Sequence, residues 1–195
     1  CSCWAMGSTL EEIENTAQAT VNLVVSASGL AAAKTLQERF GTPYVVGVPV
    51  GGRFSETLLQ ALRQAERTGE SGVAYAGGAD VSSAETVLIG EAVQSASLAA
   101  AIEAETGKRA RVLCPVEAPD ELLRHGDVRA TDEDELVPLL KNAKTVIADP
   151  LYQPICPKNA SFIPLPHEAF SGRIYRRDIP DITKSTKFIL GEMKK

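Results

Sequence analysis

Residues 8–49, STLEEIENTAQATVNLVVSASGLAAAKTLQERFGTPYVVGVP, constrain the fold most, because they write out a helix, a strand, a helix and a strand in order. Ser8 with Glu11 three residues on is a capping box, in which each side chain satisfies an amide that the first turn leaves without a partner. Leu10, Ile13 and Ala17 form the inward stripe expected of that helix. Val21 to Val25 is apolar except for Asn22, β-branched and too short for a helix, as in a parallel strand covered on both faces. A second helix is expected over Gly29 to Phe40. Gly41 can take the left-handed conformation that ends it, Pro43 cannot continue it, and Tyr44 to Val48 reads as the next strand.

The alternation continues. Phe54, Leu58, Leu59, Leu62 and Ala65 recur at helical spacing, predicting a helix over residues 53–67. Thr68 to Ser83 is rich in glycine and serine and reads as a connection between two packing units. A second series follows: strand Glu85 to Gly90, helix Ser95 to Glu105, strand Arg109 to Cys114, short helix Pro119 to His125 and short strand Val128 to Ala130. Asp132 opens an acidic first turn, favourable at the positive end of a helix dipole, and that helix is expected to reach Asn142. Thr145 to Ala148 and Ser161 to Leu165 are the last strands, and Ile182 to Met193 is a final helix. The fold class is therefore α/β, two Rossmann-like units with mainly parallel sheets. The units are expected over residues 1–75 and 76–195, with the C-terminal helix crossing back.

In such sheets ligands bind beyond the carboxyl ends of the strands. The loops at that edge are Ser26 to Gly29, Gly47 to Gly52, Gly90 to Ala92, Cys114 to Glu117, Asp149 to Tyr152 and Pro166 to Glu168. Small residues in the first three let backbone amides approach a ligand closely. The candidate binding residues are Ser26, Ser28, Gly29, Gly90, Glu91 and His167; no catalytic residue is assigned and no metal site is expected. Each loop has a plain structural explanation as well, since glycine and serine occur wherever a strand passes into a helix.

Several function classes lose support. A phosphate-binding G-x-x-x-x-G-K-[ST] loop and a post-strand G-x-G-x-x-G are both absent. The G-x-S-x-G elbow is missing too, and His125 and His167 are the two histidines from which a triad could be built. A net charge of −5 gives no electrostatic reason to expect nucleic acid or an anionic membrane. No apolar run approaches the roughly 18 residues of a membrane span, so a cytoplasmic protein is expected. Cys1, Cys3, Cys114 and Cys156 make no disulfide framework and no C-x-x-C pair. The chain opens on Cys1 and is expected to be a C-terminal portion of a longer protein.

The stretches GSTLEEIENTAQATVNLVV and LQERFGTPYV resemble the component 1 family of nitrogenases, which includes nitrogenase-like reductases of tetrapyrrole synthesis and cofactor-assembly scaffolds. The matching features are the turn at Gly7 to Thr9, the strand at Asn22 to Val24 and the helix end at Phe40 to Pro43. SFIPLPHEAFSGRIYRRD, Ser161 to Asp178, is similar to the family's late histidine-containing segment, which puts His167 near a residue that helps hold the metallocluster of true nitrogenases. The cluster-binding cysteine that follows the corresponding strand in true nitrogenases is replaced here by Val25 or Ser26, neither of which supplies a thiolate. The resemblance thus implies a nitrogenase-like reductase or a scaffold, with pocket walls and a subunit interface on this chain. An iron–sulfur cluster would be held elsewhere in the full-length protein, with no cofactor on the fragment itself. An ATP-dependent iron–sulfur reductase and a homologous subunit are the implied partners. A non-catalytic cofactor-assembly scaffold or metabolite-binding protein on the same fold is the alternative. A sugar-nucleotide transferase is a third reading that no specific residue supports.

Overall fold

The computed structural model describes residues 3, 7–78 and 80–193. The first helix, α1 (Leu10–Glu14), is capped by Thr9 and not by Ser8. Thr9 Oγ1 accepts the Glu12 amide at 3.2 Å, and Glu12 Oε2 accepts the Thr9 amide at 2.8 Å. The sequence S-T-L-E-E holds two overlapping boxes, and spacing alone cannot choose between them. The stripe expected of this helix is not buried: Leu10 is 79% and Ile13 42% exposed, and Ala17 is exposed as well. The α-helix ends after Glu14 and continues as a 3-10 turn over Asn15–Gln18, whose tighter winding carries Ala17 off the face that 3.6 residues per turn would give it.

The first sheet holds β1 (Asn22–Val24), β2 (Tyr44–Val46) and β3 (Gly72–Val73), parallel and in that order. Helices α2 (Leu30–Phe40) and α3 (Gly52–Thr68) connect them. Gly41, at φ 71°, ends α2 as expected. β1 is shorter than Val21 to Val25 and is not covered on both faces. Val24 is buried, whereas Leu23 is 40% and Val25 47% exposed, because β1 is the outer strand and α1 does not pack over it. The segment expected as a plain connection contains β3, two residues too few to carry a period.

The second sheet is β6 (Val128–Arg129), β5 (Ala110–Cys114), β4 (Thr86–Ile89), β7 (Thr145–Ala148) and β8 (Ser161–Pro164), in that spatial order and all parallel. The chain builds outward from β4 through β5 to β6, then returns to lay β7 on the other side of β4. That reversal makes the carboxyl ends of β4 and β7 the topological switch point, where a doubly wound sheet opens a crevice. β4 is buried along its whole length, as a central strand must be.

Between the two sheets runs α4 (Ala92–Thr106), which buries Val93, Ala96, Leu98, Ala99 and Ile102 on several faces. Its alanines and serines permit close approach on every side. One core cluster therefore spans both sheets, including Val46, Val48 and Phe54 from the first and Leu88, Val112 and Ile147 from the second. Ser97, fully buried, donates to the Val93 carbonyl at 2.7 Å and accepts the Val48 amide at 2.9 Å. The opposite face of the second sheet is closed by α5 (Glu133–Leu140) through Leu136 and Leu140. The C-terminal part contains α6 (Glu168–Tyr175), which was not expected, and α7 (Lys187–Met193), shorter than expected. Asp181 accepts the Thr183 amide at 3.0 Å and so makes a turn before α7. Ile189 of α7 is fully buried in the main cluster. Pro119 to His125 forms only a 3-10 turn, Asp120–Leu122. No described helix is long and apolar enough to cross a membrane.

Candidate functional site

At the switch point β4 passes into α4 through Gly90 and Glu91. Gly90 is buried, and a Cβ there would lie 2.5 Å from Ser95 Oγ, so any larger residue would require that hydroxyl to move. Glu91 caps α4, Oε2 accepting the Gln94 amide at 2.9 Å. Its other oxygen, Oε1, accepts the Ala27 amide at 2.8 Å. One carboxylate therefore ties the loop after β1 to the loop after β4, across 64 residues of sequence. Ser26 and Ser28 flank that amide, their hydroxyls 3.2 Å apart. Ser26 is half-buried, while Ser28 and Gly29 are exposed. A Cβ at Gly29 would meet only Val24 Cγ1, at 3.5 Å, so sterics do not compel glycine there.

Across the crevice, β7 ends in Asp149, 2% exposed. Its Oδ1 accepts the Leu151 amide at 3.0 Å. Its Oδ2 accepts the His167 amide at 2.8 Å and the Ser171 hydroxyl at 2.6 Å. This carboxylate opens the 3-10 helix Pro150–Ile155 and anchors the start of α6. His167 caps α6, Nδ1 accepting the Ala169 amide at 3.1 Å, and its Nε2 lies 3.2 Å from Gln94 Oε1. Phe170 packs against the ring with centroids 5.1 Å apart, and Tyr152 meets Phe170 edge-on at 5.9 Å.

These groups enclose a cavity of about 30 Å³. Glu91, Gln94, Asp149 and His167 form its polar side, and Leu98, Leu165, Phe170 and Ile182 its apolar side. A water needs roughly 10–15 Å³, so about two or three waters would fill it. Of the residues singled out from sequence, Gly90, Glu91 and His167 line this one cavity, and Ser26, Ser28 and Gly29 adjoin it through the Ala27–Glu91 bond. His167 is half-buried at the cavity and is bonded to local backbone as well. Gln94, Asp149, Phe170 and Ser171 were not singled out. Asp149 carried a readable signal, because an Asp-Pro pair directly after the apolar strand TVIA is a helix cap with proline in the first turn.

The described cysteines, Tyr75 and His125 do not line this cavity. Cys114 is buried at the end of β5, its thiol donating to the Val116 carbonyl at 3.3 Å, and burial pushes its pKa up. Burial likewise raises the Cys156 thiol, which donates to the Tyr152 carbonyl at 3.2 Å. Both stay protonated at neutral pH. Cys3 is exposed, and Cys1 lies outside the described residues. Burial raises the Tyr75 phenol, which donates to the Leu122 carbonyl at 3.3 Å. His125 sits on the surface, Nδ1 3.2 Å from Asp80 Oδ1. Among the described residues, no three His, Cys, Asp or Glu side chains are grouped so as to hold a metal ion.

The family model for nitrogenase component 1 type oxidoreductases matches residues 2–110, which is more than half of the chain. The matched region runs from before α1 to the first residue of β5 and includes Ser26 to Gly29, Gly90 and Glu91. Neither a curated protein nor a solved structure matches the chain.

Proposed function

The chain belongs to the nitrogenase component 1-type oxidoreductase family, and from that premise we propose that it supplies pocket walls and part of a subunit interface to an electron-transferring assembly. In this reading residues 1–75 and 76–195 are its two units, and Ser26, Ser28, Gly29, Gly90, Glu91 and His167 border the ligand crevice between them. A homologous subunit completes the pocket. An ATP-driven iron–sulfur reductase supplies electrons, and the whole acts in the cytoplasm. The observation that carries the reading is the Glu91 carboxylate, which holds the loops after β1 and β4 together at a switch point that His167 reaches from the other side.

An iron–sulfur cluster does not fit the described residues of this chain. Cys114 and Cys156 are protonated thiols turned to backbone carbonyls, and Val25 and Ser26 follow β1 where a ligand cysteine would be needed. The alternative on the same fold is a non-catalytic scaffold holding a cofactor precursor.

The test mixes the full-length protein that carries this chain anaerobically with a homologous component 1-type subunit and a reduced, ATP-loaded iron–sulfur reductase, and follows the reductase absorbance. ATP-dependent oxidation of the reductase by the assembled complex supports the oxidoreductase reading. Assembly with no electron uptake supports the scaffold.

A further inference from the structure

By resemblance His167 falls near a metal-holding histidine of the family, yet its hydrogen bonds oppose that use. We propose that His167 serves the switch-point cavity as an N–H donor to a neutral, carbonyl-bearing organic ligand, and not as a metal ligand. The proposal rests on the reading of this cavity as the ligand site.

A peptide N–H is always a donor, so Nδ1 of His167, which accepts it from Ala169 at 3.1 Å, must carry a lone pair and no proton. The neutral ring then bears its proton on Nε2. That proton requires an acceptor, and the atom 3.2 Å away is Gln94 Oε1; the tautomer and the orientation of the Gln94 amide therefore agree. A metal at Nε2 would need the lone pair there, moving the proton to Nδ1, where it would point at the Ala169 N–H. Two donors would face each other, and α6 would lose its cap. The ring cannot readily turn away, because Asp149 Oδ2 holds the His167 amide at 2.8 Å, the same oxygen holds Ser171 in the first turn of α6, and Phe170 packs on the ring.

The ligand class follows from what the ring already touches. Gln94 Oε1 is an internal carbonyl occupying the acceptor position, and the cavity of about 30 Å³ has no room for a ligand until that side chain swings out. Glu91 and Asp149 border the polar side and repel an anion, so a neutral carbonyl is preferred to a carboxylate or phosphate. Leu98, Leu165 and Ile182 offer the body of the ligand an apolar wall. Gln94 is thus a side-chain gate, and His167 the donor behind it.

The test uses uniformly ¹⁵N-labelled full chain, in which His125→Gln leaves His167 as the remaining histidine. The ring should show a pyrrole-type Nε2 and a pyridine-type Nδ1, and titration with Co²⁺ should leave both unchanged. An Nδ1–H tautomer, or stoichiometric Co²⁺ binding that His167→Ala abolishes, overturns the proposal. In the Gln94→Ala chain, cyclopentanone should shift both the Nε2 signal and the Gly90 and Ser95 amides, whereas cyclopentane should shift the amides alone. Amide shifts with Nε2 unmoved by the ketone overturn the donor role and leave the shared cavity standing. If neither probe moves the Gly90 and Ser95 amides, the cavity reading fails and the proposal with it.

Discussion

Glu91 is the most informative residue to change, because one carboxylate does two separable jobs. Its Oε2 caps α4 through the Gln94 amide, and its Oε1 reaches the Ala27 amide of the other sheet's loop. Aspartate is a good cap but is shorter by one methylene, about 1.5 Å. Glu91→Asp therefore keeps the cap and opens the 2.8 Å bond to Ala27 beyond hydrogen-bond range. A hydrogen bond to a charged group contributes about 1.5–3 kcal/mol. Because Glu91 is only half-buried and water can reach the vacated amide, we expect a loss of about 1–2 kcal/mol. Glu91→Ala removes the cap as well, a further 0.5–2 kcal/mol or so, giving roughly 1.5–4 kcal/mol in all. At about 2–4 °C per kcal/mol for a chain of this size, the midpoints should fall by roughly 2–8 °C for aspartate and roughly 3–16 °C for alanine. Urea denaturation gives the energies, and amide hydrogen exchange locates them: Ala27 should lose protection in both variants, Gln94 in the alanine variant alone. An aspartate variant as stable as the parent, with Ala27 equally protected, would refute the inter-loop bond.

Asp127 and Arg124 form a buried ion pair, 0% and 7% exposed, at 2.9 Å, and Asp127 also accepts the Val112 amide at 2.7 Å. Asp127→Ala strands a buried guanidinium and should cost about 3–5 kcal/mol, while Arg124→Met/Asp127→Asn, which keeps an acceptor for Val112, should cost less than the summed single changes in urea titrations. Gly90→Ala should destabilise by about 1–3 kcal/mol through its contact with Ser95 Oγ. Adding Ser95→Ala should recover most of that, because the next atom, Ser95 Cβ, is 3.9 Å away. Cys114 titrates above the ordinary 9.0 because of burial; its raised pKa contributes stability that is complete below pH 9 and is lost as pH rises through the folded value. Alkylation of this thiol by iodoacetamide should accordingly follow global unfolding, and a Cys114→Ala chain should lose less stability between pH 9 and 10.5 than the parent, the check being urea midpoints at each pH.

The alternation of strands and helices was legible because buried strands and amphipathic helices have different periods, and α2, α3, β2, β5 and β7 fall close to where those periods put them. What failed did so for local reasons. Ser8 and Thr9 offered competing caps three residues before Glu11 and Glu12. The α4 start was expected at Ser95, a typical capping residue, but the chain uses Glu91, whose longer side chain can cap and also reach Ala27. α6 was missed because its cap is a histidine and its eight residues bury only Ser171 and Gly172, too little for a stripe. Sheet order was not legible at all, since nothing in the residues of β4 says that its neighbours are β5 and β7.

The candidate site was half legible for a related reason. Gly90 and Glu91 stand at a strand end, where the general rule for parallel sheets already looks, and His167 was visible as a histidine after a strand. Its chemistry was not visible, because a tautomer is decided by what faces each ring nitrogen, and Ala169 and Gln94 lie two residues ahead and 73 residues back. Asp149 is the link between the two levels. Buried at the end of β7 and accepting three donors, it fixes where α6 begins, and the start of α6 fixes which nitrogen of His167 can hold a proton. A strand end thereby sets the donor that the cavity presents. Asp149→Asn measures this directly: the amide has one acceptor oxygen for donors that now use two, so the His167 or the Leu151 contact must loosen. The His167 ring ¹⁵N signals should then broaden or split between tautomers while β7 amides stay protected. Sharp, unshifted ring signals in that variant would mean that α6 holds His167 without help from Asp149.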